Sequence, residues 1–485
     1  MKLTFRKPLL ACTLGCALLL LFAAHAFCFF NPTYFGPSVM LNAAKGASGQ
    51  TGGGQYLLPY YWRVRGAISA PLIVGMLSAL YLASTAVLTA DLLGLRSRAL
   101  CFALCGALTV NAGVTSLFAA SLHTADAAFL AQLLSTLAIW LCLRVRLGWL
   151  PGALLLAASG ALHADGLACG AALALVAMLC PLAEGKPVRR CALSLLSLAL
   201  GAAVYAAGYA VLVRLRSIEP GAQLHLPSSL SEAFFAPLRA LLAPLTAYPT
   251  LNVALRVALL LAAAVSLLAL LRRIGVIRTA AIAGLLLLLP LAASLPVFSA
   301  AGGAQFRLSY AYLDAAVITL AAQAASGVAP LACRLRRAVA AGCAVLALGG
   351  VVFSNQVYLK KNLEFSSTLS VMTRVLDRIE QVDGYRPGYT PVAIVGTPED
   401  SALSAVHLGF EHLTALDAAK ANYAVTSSQE MVWYMWEVLG YPLNFVSDFE
   451  LGQLARREDV QAMPVFPAQG CCRMIDGTLV VRLSP

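Results

Sequence analysis

Charge is what this sequence has least of. Only 12% of its 485 residues are charged and 60% are hydrophobic, with a mean hydropathy of +0.80. A soluble domain carries about 25% charged residues, so a soluble enzyme, a nucleic-acid binder and a disordered chain are excluded for the whole. What remains is a polytopic membrane protein. Acid is scarcer still, and residues 31–90 contain no Asp or Glu at all. No CxxC pair and no His/Cys metal spacing occurs. Eleven of the thirteen cysteines are scattered through the apolar part, where thiols act as small hydrophobes, and only Cys471 and Cys472 lie beyond it. Nucleotide fingerprints are missing too. Gly52-Gly53-Gly54 lacks the Lys-Ser/Thr of a phosphate loop, and Gly396 ends a short apolar run with no further glycines at the required spacing.

The charge that is present divides the chain. Residues 1–354 hold 24 Lys and Arg against 7 Asp and Glu, a net of +17, whereas residues 355–485 hold 10 against 15, a net of −5. A boundary near Ser354–Asn355 separates an apolar domain, 1–354, from an ordinary water-facing domain, 355–485. A helix needs about 20 apolar residues to cross a bilayer. Eleven segments qualify, near 8–30, 67–90, 99–122, 127–143, 149–163, 166–183, 191–213, 250–271, 279–298, 309–328 and 338–354. The fifth and sixth are short and read as a helical hairpin turning at His163-Ala164-Asp165. The first resembles a signal peptide, with Lys2, Arg6 and Lys7 before the apolar run and Ala24-His25-Ala26 near its end, but the run is long enough to span.

The cations orient these segments. With the N-terminus inside, the inner turns carry 16 Lys and Arg, at least two in each. The outer loops before residue 355 carry 7, and the turns at 123–126 and 163–165 carry none. The domain 355–485 is then outside, and the basic excess is an orientation signal rather than a nucleic-acid patch.

The outer side gathers the chemistry-bearing residues. Tyr56, Tyr60, Tyr61 and Trp62 follow the glycine run of the first outer loop, 31–66. They fit an interfacial aromatic belt or a platform for sugar rings. The second loop, 214–249, spaces Phe234, Phe235, Leu238, Leu241 and Leu242 as a short helix lying on the membrane would, which would also serve as a lid. Ionisable groups within spans are costly, and those here fall at outer helix ends. His123 and Asp126 open the fourth span, His163 and Asp165 sit at the hairpin tip, Asn252 and Arg256 open the eighth, and Arg307 and Asp314 flank the start of the tenth. A carboxylate there can act as general base and an arginine can hold a phosphate; helix capping is the plain alternative. Asp91 and Glu184 lie at inner ends near cations.

In the last domain, 355–382 reads as a helix, 391–396 as a buried strand, 427–439 as a helix rich in Met and Trp, and 473–483 as a hairpin turning at Asp476-Gly477. The outcome is a small α/β unit.

Eleven spans, a long first outer loop and acids at outer helix ends resemble a GT-C-type glycosyltransferase. Val392-Ala-Ile-Val-Gly396, Leu439-Gly440, Met463-Pro-Val-Phe-Pro467, Gly470 and Ile475-Asp-Gly-Thr-Leu-Val-Val-Arg-Leu-Ser484 are similar to the type II Gtr family of O-antigen glucosyltransferases. The resemblance implies a bacterial inner-membrane enzyme with a periplasmic C-terminal domain. It would move glucose from a polyprenyl-phosphate carrier to an O-antigen or related glycan. It implies membrane lipid, the lipid-linked donor and a glycan acceptor as partners, with a small donor flippase and a donor-synthesising glycosyltransferase beside them. Asp126 resembles the family's second acidic position and Arg307 an arginine before a late span. The family's first-loop acids have no counterpart here. Either Asp126 or Asp165 takes the catalytic role, with His123, His163, Arg256, Arg307, Tyr56 and Trp62 binding substrate, or the chain has lost the usual catalysis. A divalent metal would fit between Asp126, His123 and Asp165 only if the two turns meet. A flippase of lipid-linked glycan and a non-catalytic glycan binder are the competing readings.

Overall fold

The computed structural model describes residues 7–43, 51, 53–216, 231, 235, 250–295, 307–325, 330–401, 404–405, 407–413 and 419–485. The amphipathic segment expected at 229–245 lies outside them, apart from Ser231 and Phe235. Nine helices among the described residues are long and apolar enough to cross a membrane. The molecule is thus a polytopic helical protein, as its lack of charge requires.

Its helices are α1 Lys7–Phe30, α2 Leu58–Arg65, α3 Pro71–Leu92, α4 Arg98–Thr109, α5 Ala112–Ala120 and α6 Leu122–Arg144. There follow α7 Trp149–Leu162, α8 Asp165–Glu184, α9 Arg189–Arg216, α10 Thr250–Ile274, α11 Val276–Ala293, α12 Ala311–Ala324 and α13 Pro330–Glu380. Helices α7 and α12, which match the fifth and tenth apolar segments, have only 14 residues each. The third apolar segment is broken in two by Asn111. Its Oδ1 accepts from the Val114 amide at 3.1 Å while its Nδ2 donates to the Ala107 carbonyl at 2.9 Å, so one side chain closes α4 and caps α5. The last apolar segment does not end at 354. It is part of α13, which runs without interruption for 51 residues.

Small residues let these helices approach. Ala83, Ala86, Ala125, Ala128, Cys169 and Ala172 are all buried in the central cluster, where packing and hydrogen bonds rather than water exclusion hold helices together. At Gly350 a Cβ would stand 2.5 Å from the Val110 carbonyl oxygen, so α13 lies directly against the break in the third segment.

Beyond α13 a four-stranded sheet is ordered β2-β1-β4-β3, with β1 Pro391–Val395, β2 Asn444–Phe445, β3 Cys472–Ile475 and β4 Thr478–Arg482. Strand β1 is parallel to β2 and β4, and β3 is antiparallel to β4. Alternation along the strands covers both faces. Val392, Ile394, Leu479 and Val481 pack on Met372, Val375 and Ile379 of α13, while Ala393 and Val480 pack on Val460 and Met463. Asp476 and Gly477 both take positive φ, 47° and 80°, which a type I′ hairpin needs. The expected helix 427–439 is α14 Ser428–Trp433, continued by one π-helical turn to Val438.

Candidate functional site

The site is built where the α6 and α8 N-termini, helix α2 and the segment at 307–310 come together. Asp126, one turn into α6, is wholly buried. Its Oδ1 accepts from Arg65 Nη1 at 2.8 Å and from the Ala127 amide at 3.0 Å, and its Oδ2 accepts from the Tyr61 hydroxyl at 2.8 Å. The Arg65 side chain is 1% exposed. Trp62 is buried and donates its indole N–H to the His123 carbonyl at 2.9 Å, while the Ser38 hydroxyl meets His123 Nδ1 at 2.9 Å. Burial, with the Asp126 carboxylate beside it, drives the Tyr61 phenol far above its usual range, so it stays a donor. The first loop is therefore clamped onto α6 by a carboxylate with three donors around it.

Asp165, at the start of α8, is held differently. Its Oδ1 accepts from Arg307 Nη1 at 3.1 Å and its Oδ2 from the Leu308 amide at 3.3 Å. The two side chains are 7% and 3% exposed. His163 Nδ1 accepts the Asp165 amide at 3.2 Å, and so does the work of a helix cap. Just beneath, Ser135 of α6 donates to the Gly166 carbonyl at 2.6 Å, Ser159 of α7 donates to the Ala131 carbonyl at 2.7 Å, and the two hydroxyls meet at 2.7 Å. A Cβ on Gly166 would stand 2.1 Å from Ser159 Oγ. Three helices are thus locked directly under the Asp165 carboxylate.

The two carboxylates head packed helices, each with its own set of partners. Helices α6 and α8 pack together. The amide of Leu57, beside α2, donates to the Ala161 carbonyl at 3.0 Å, next to the His163 turn. A Cβ on Gly113 would stand 2.6 Å from the Arg307 carbonyl oxygen, which sets the Arg307 segment on α5, the helix leading into His123 and Asp126. Arg256 lies apart from both. It pairs with Asp314 at 3.6 Å between α10 and α12, half-exposed. Tyr56 stacks on Tyr205 of α9, centroids 5.8 Å apart and planes 14° from parallel, so one face of its ring is already covered.

Each of the five described acids before residue 354 has a cation partner: Asp91 with Arg144, Asp126 with Arg65, Asp165 with Arg307, Glu184 with Lys186 and Asp314 with Arg256. For the buried acids Asp91, Asp126 and Asp165 this is how a low-dielectric interior tolerates charge. Sequence reasoning found Asp126, Asp165, Arg256 and Arg307 through their rarity and Tyr61 only as part of an aromatic belt or sugar platform, and it missed Arg65 and Ser38. The signal for Arg65 was the same scarcity: a buried acid needs a cation, and the acid-free first loop carries Arg63 and Arg65.

Among the described residues no group of three His, Cys, Asp or Glu side chains could hold a metal ion, so Asp126, His123 and Asp165 do not form one. The first loop also reaches the sheet-bearing part. The Gly36 amide donates to the Ala424 carbonyl at 2.9 Å, the Asn42 amide donates to Glu437 Oε2 at 2.9 Å, and Val39 is buried with Met372 and Met435. Against this strap lies a buried charge cluster on α13. Glu364 accepts from Lys360 at 2.7 Å and from Lys361 at 2.8 Å, all three fully buried, and Lys361 Nζ sits 3.3 Å from the Phe35 ring centroid. No family model, no curated protein and no solved structure matches the chain.

Proposed function

We propose that the chain transfers a sugar, glucose by resemblance, from a polyprenyl-phosphate carrier to a surface glycan, at the periplasmic face of a bacterial inner membrane. The N-terminus is then cytoplasmic, and all eleven apolar segments cross. A small donor flippase and a donor-synthesising glycosyltransferase would supply the carrier.

The Asp165–Arg307 pair carries this reading. It joins the two groups the reaction needs, an anion-binding guanidinium and a carboxylate base, at the end of a helix hairpin fixed from below. The donor phosphate competes with Asp165 for Arg307, and the exchange frees the carboxylate. The acceptor hydroxyl oxygen attacks the anomeric carbon and gives its proton to Asp165. The bond from that carbon to the phosphate oxygen breaks, its electron pair leaves with the phosphate, and Arg307 balances the charge. Asp126 suits a structural role better, because three donors already occupy it in a fully buried place.

Labelled sugar on polyprenyl phosphate, supplied to membranes holding the full chain and a lipopolysaccharide acceptor, tests this. Transfer should fall by about 10²-fold or more in Asp165→Asn, and comparably in Arg307→Ala, with membrane insertion retained. Wild-type transfer by both variants would reject the assignment. Donor bound but never consumed would favour the non-catalytic reading, and lipid moved between leaflets without a covalent product would favour the flippase. A reporter fused after Pro485 should be accessible from the periplasmic side.

A further inference from the structure

A second cleft stands well away from the Asp165–Arg307 pair. It has a volume of about 570 Å³ and lies at the N-terminal ends of the three parallel strands, where Pro391, Asn444 and Thr478 begin them. Such a volume lies within the roughly 300–1,000 Å³ of small-molecule sites. Its other wall is α15 Asp448–Leu454 and the turn after it, which contribute Glu450, Gln453 and Arg457. The cleft opens to solvent, since Asn444, Glu450 and Gln453 are exposed.

Its place in the chain sets it far from the apolar helices. The stretch of α13 after Ser354 adds about 39 Å at 1.5 Å per residue. Strand β1 then returns, so its C-terminal end approaches the buried lysines, where Glu399 accepts from the Asn422 and Tyr423 amides and Lys360 donates to the Ala421 carbonyl. Its N-terminal end points the other way, beside Tyr389, whose carbonyl accepts from Asn444 Nδ2 at 3.2 Å. A ligand here comes from solution rather than from the bilayer.

The lining selects the chemistry. The Gln453 amide offers donors and an acceptor, Asn444 offers its carbonyl oxygen and the N–H that Tyr389 leaves over, the Thr478 hydroxyl offers both, and Glu450, whose Oε2 is held by the Ser447 amide and hydroxyl, accepts through Oε1. Planar groups of this kind match the adjacent hydroxyls of a sugar ring. Phe445 supplies an apolar face for the ring's C–H side. The aromatic side chains of Phe449 and Tyr389, 74% and 83% exposed, stand nearby on α15 and on the turn into β1. Positive charge does not dominate. Arg457 is the lone cation of the lining, and Asp459 and Asp476 pair with it at 2.7 and 2.6 Å. Glu450 leaves the cleft mildly negative, which disfavours phosphates, nucleotides and anionic lipids.

We propose that this cleft binds a neutral saccharide. The ligand class follows from the lining. Its identification with the acceptor glycan rests on the transferase reading, and then the cleft holds a distant stretch of the polymer whose end is being modified.

The full chain in lipid nanodiscs should be titrated with maltotriose and with neutral and N-acetylated disaccharides, read by saturation-transfer NMR and calorimetry without lipid donor. Binding of at least one saccharide is expected. Gln453→Ala, at an exposed helical position that favours Ala, should weaken it about tenfold, the worth of one or two hydrogen bonds. Gln453→Trp should abolish it by filling the cleft. Asp165→Asn should bind like wild type. Failure of every saccharide to bind, or binding untouched by Gln453→Trp, overturns the inference. Binding without sugar transfer by the wild-type chain would uphold the cleft and reject the transferase.

Discussion

At the scale of single residues the molecule turns on which acid meets which cation. Asp126 and Arg65 are both buried, so removing one leaves the other charged without a partner. Loss of one member of such a pair costs about 3–5 kcal/mol, whereas replacing both by apolar groups is often neutral. Arg65→Met and Asp126→Leu should each lower the thermal unfolding temperature sharply in detergent, and the double variant should recover most of the loss. A double variant no more stable than either single would show that the pair is not the clamp. The rarity of charge made Asp126, Asp165 and Arg307 legible in the sequence. Their partners were not, because Arg65 and Asp126 are 61 residues apart and Asp165 and Arg307 are 142 apart. Helix-face arithmetic reaches only three or four residues. Arg307 and Asp314 flank the start of one span in the sequence, yet the structure gives each a partner from a different helix.

At the scale of elements, apolar run length located the helices, because a bilayer demands it. It missed the break at Val110–Asn111, since an asparagine that caps one helix while closing another leaves no polar run behind. The hairpin at Asp476-Gly477 was legible because few residue pairs tolerate two positive φ values. The α7–α8 hairpin shows how tightly elements constrain the site. Gly166 stands where any Cβ would collide with Ser159 Oγ at 2.1 Å and with its carbonyl oxygen at 2.8 Å. Gly166→Ala should push α8 away from α7 and shift Asp165 with it. The expected result is lower thermal stability together with a drop in sugar transfer larger than Ser159→Ala produces. Equal stability and transfer in Gly166→Ala would mean that the hairpin relaxes freely.

At the scale of the whole molecule, net charge divided the chain, but the backbone does not stop at that division. Helix α13 passes through Ser354–Asn355 and carries the sheet-bearing part on its far half. Composition changes there because solvent changes, and an α-helix is content in both. The first loop then joins the two parts from the side, over two buried lysines and one buried glutamate. Glu364→Gln removes the carboxylate that both lysines share and leaves Lys360 the Ala419 and Ala421 carbonyls and Lys361 the Phe35 ring. We expect a loss of about 3–5 kcal/mol, seen as a lower unfolding temperature and as faster trypsin cleavage near the strap, at Lys45 or Arg63. An unchanged cleavage pattern would argue that the strap is anchored elsewhere. The uninterrupted α13 also acts as a lever. With about 39 Å of rod beyond Ser354, a tilt of about 10° within the bilayer would sweep the far end of the sheet through roughly 7 Å. Small changes in helix angle, set by lipid thickness or by a neighbouring helix, would thereby be magnified into displacements of several ångströms at the sheet-bearing part.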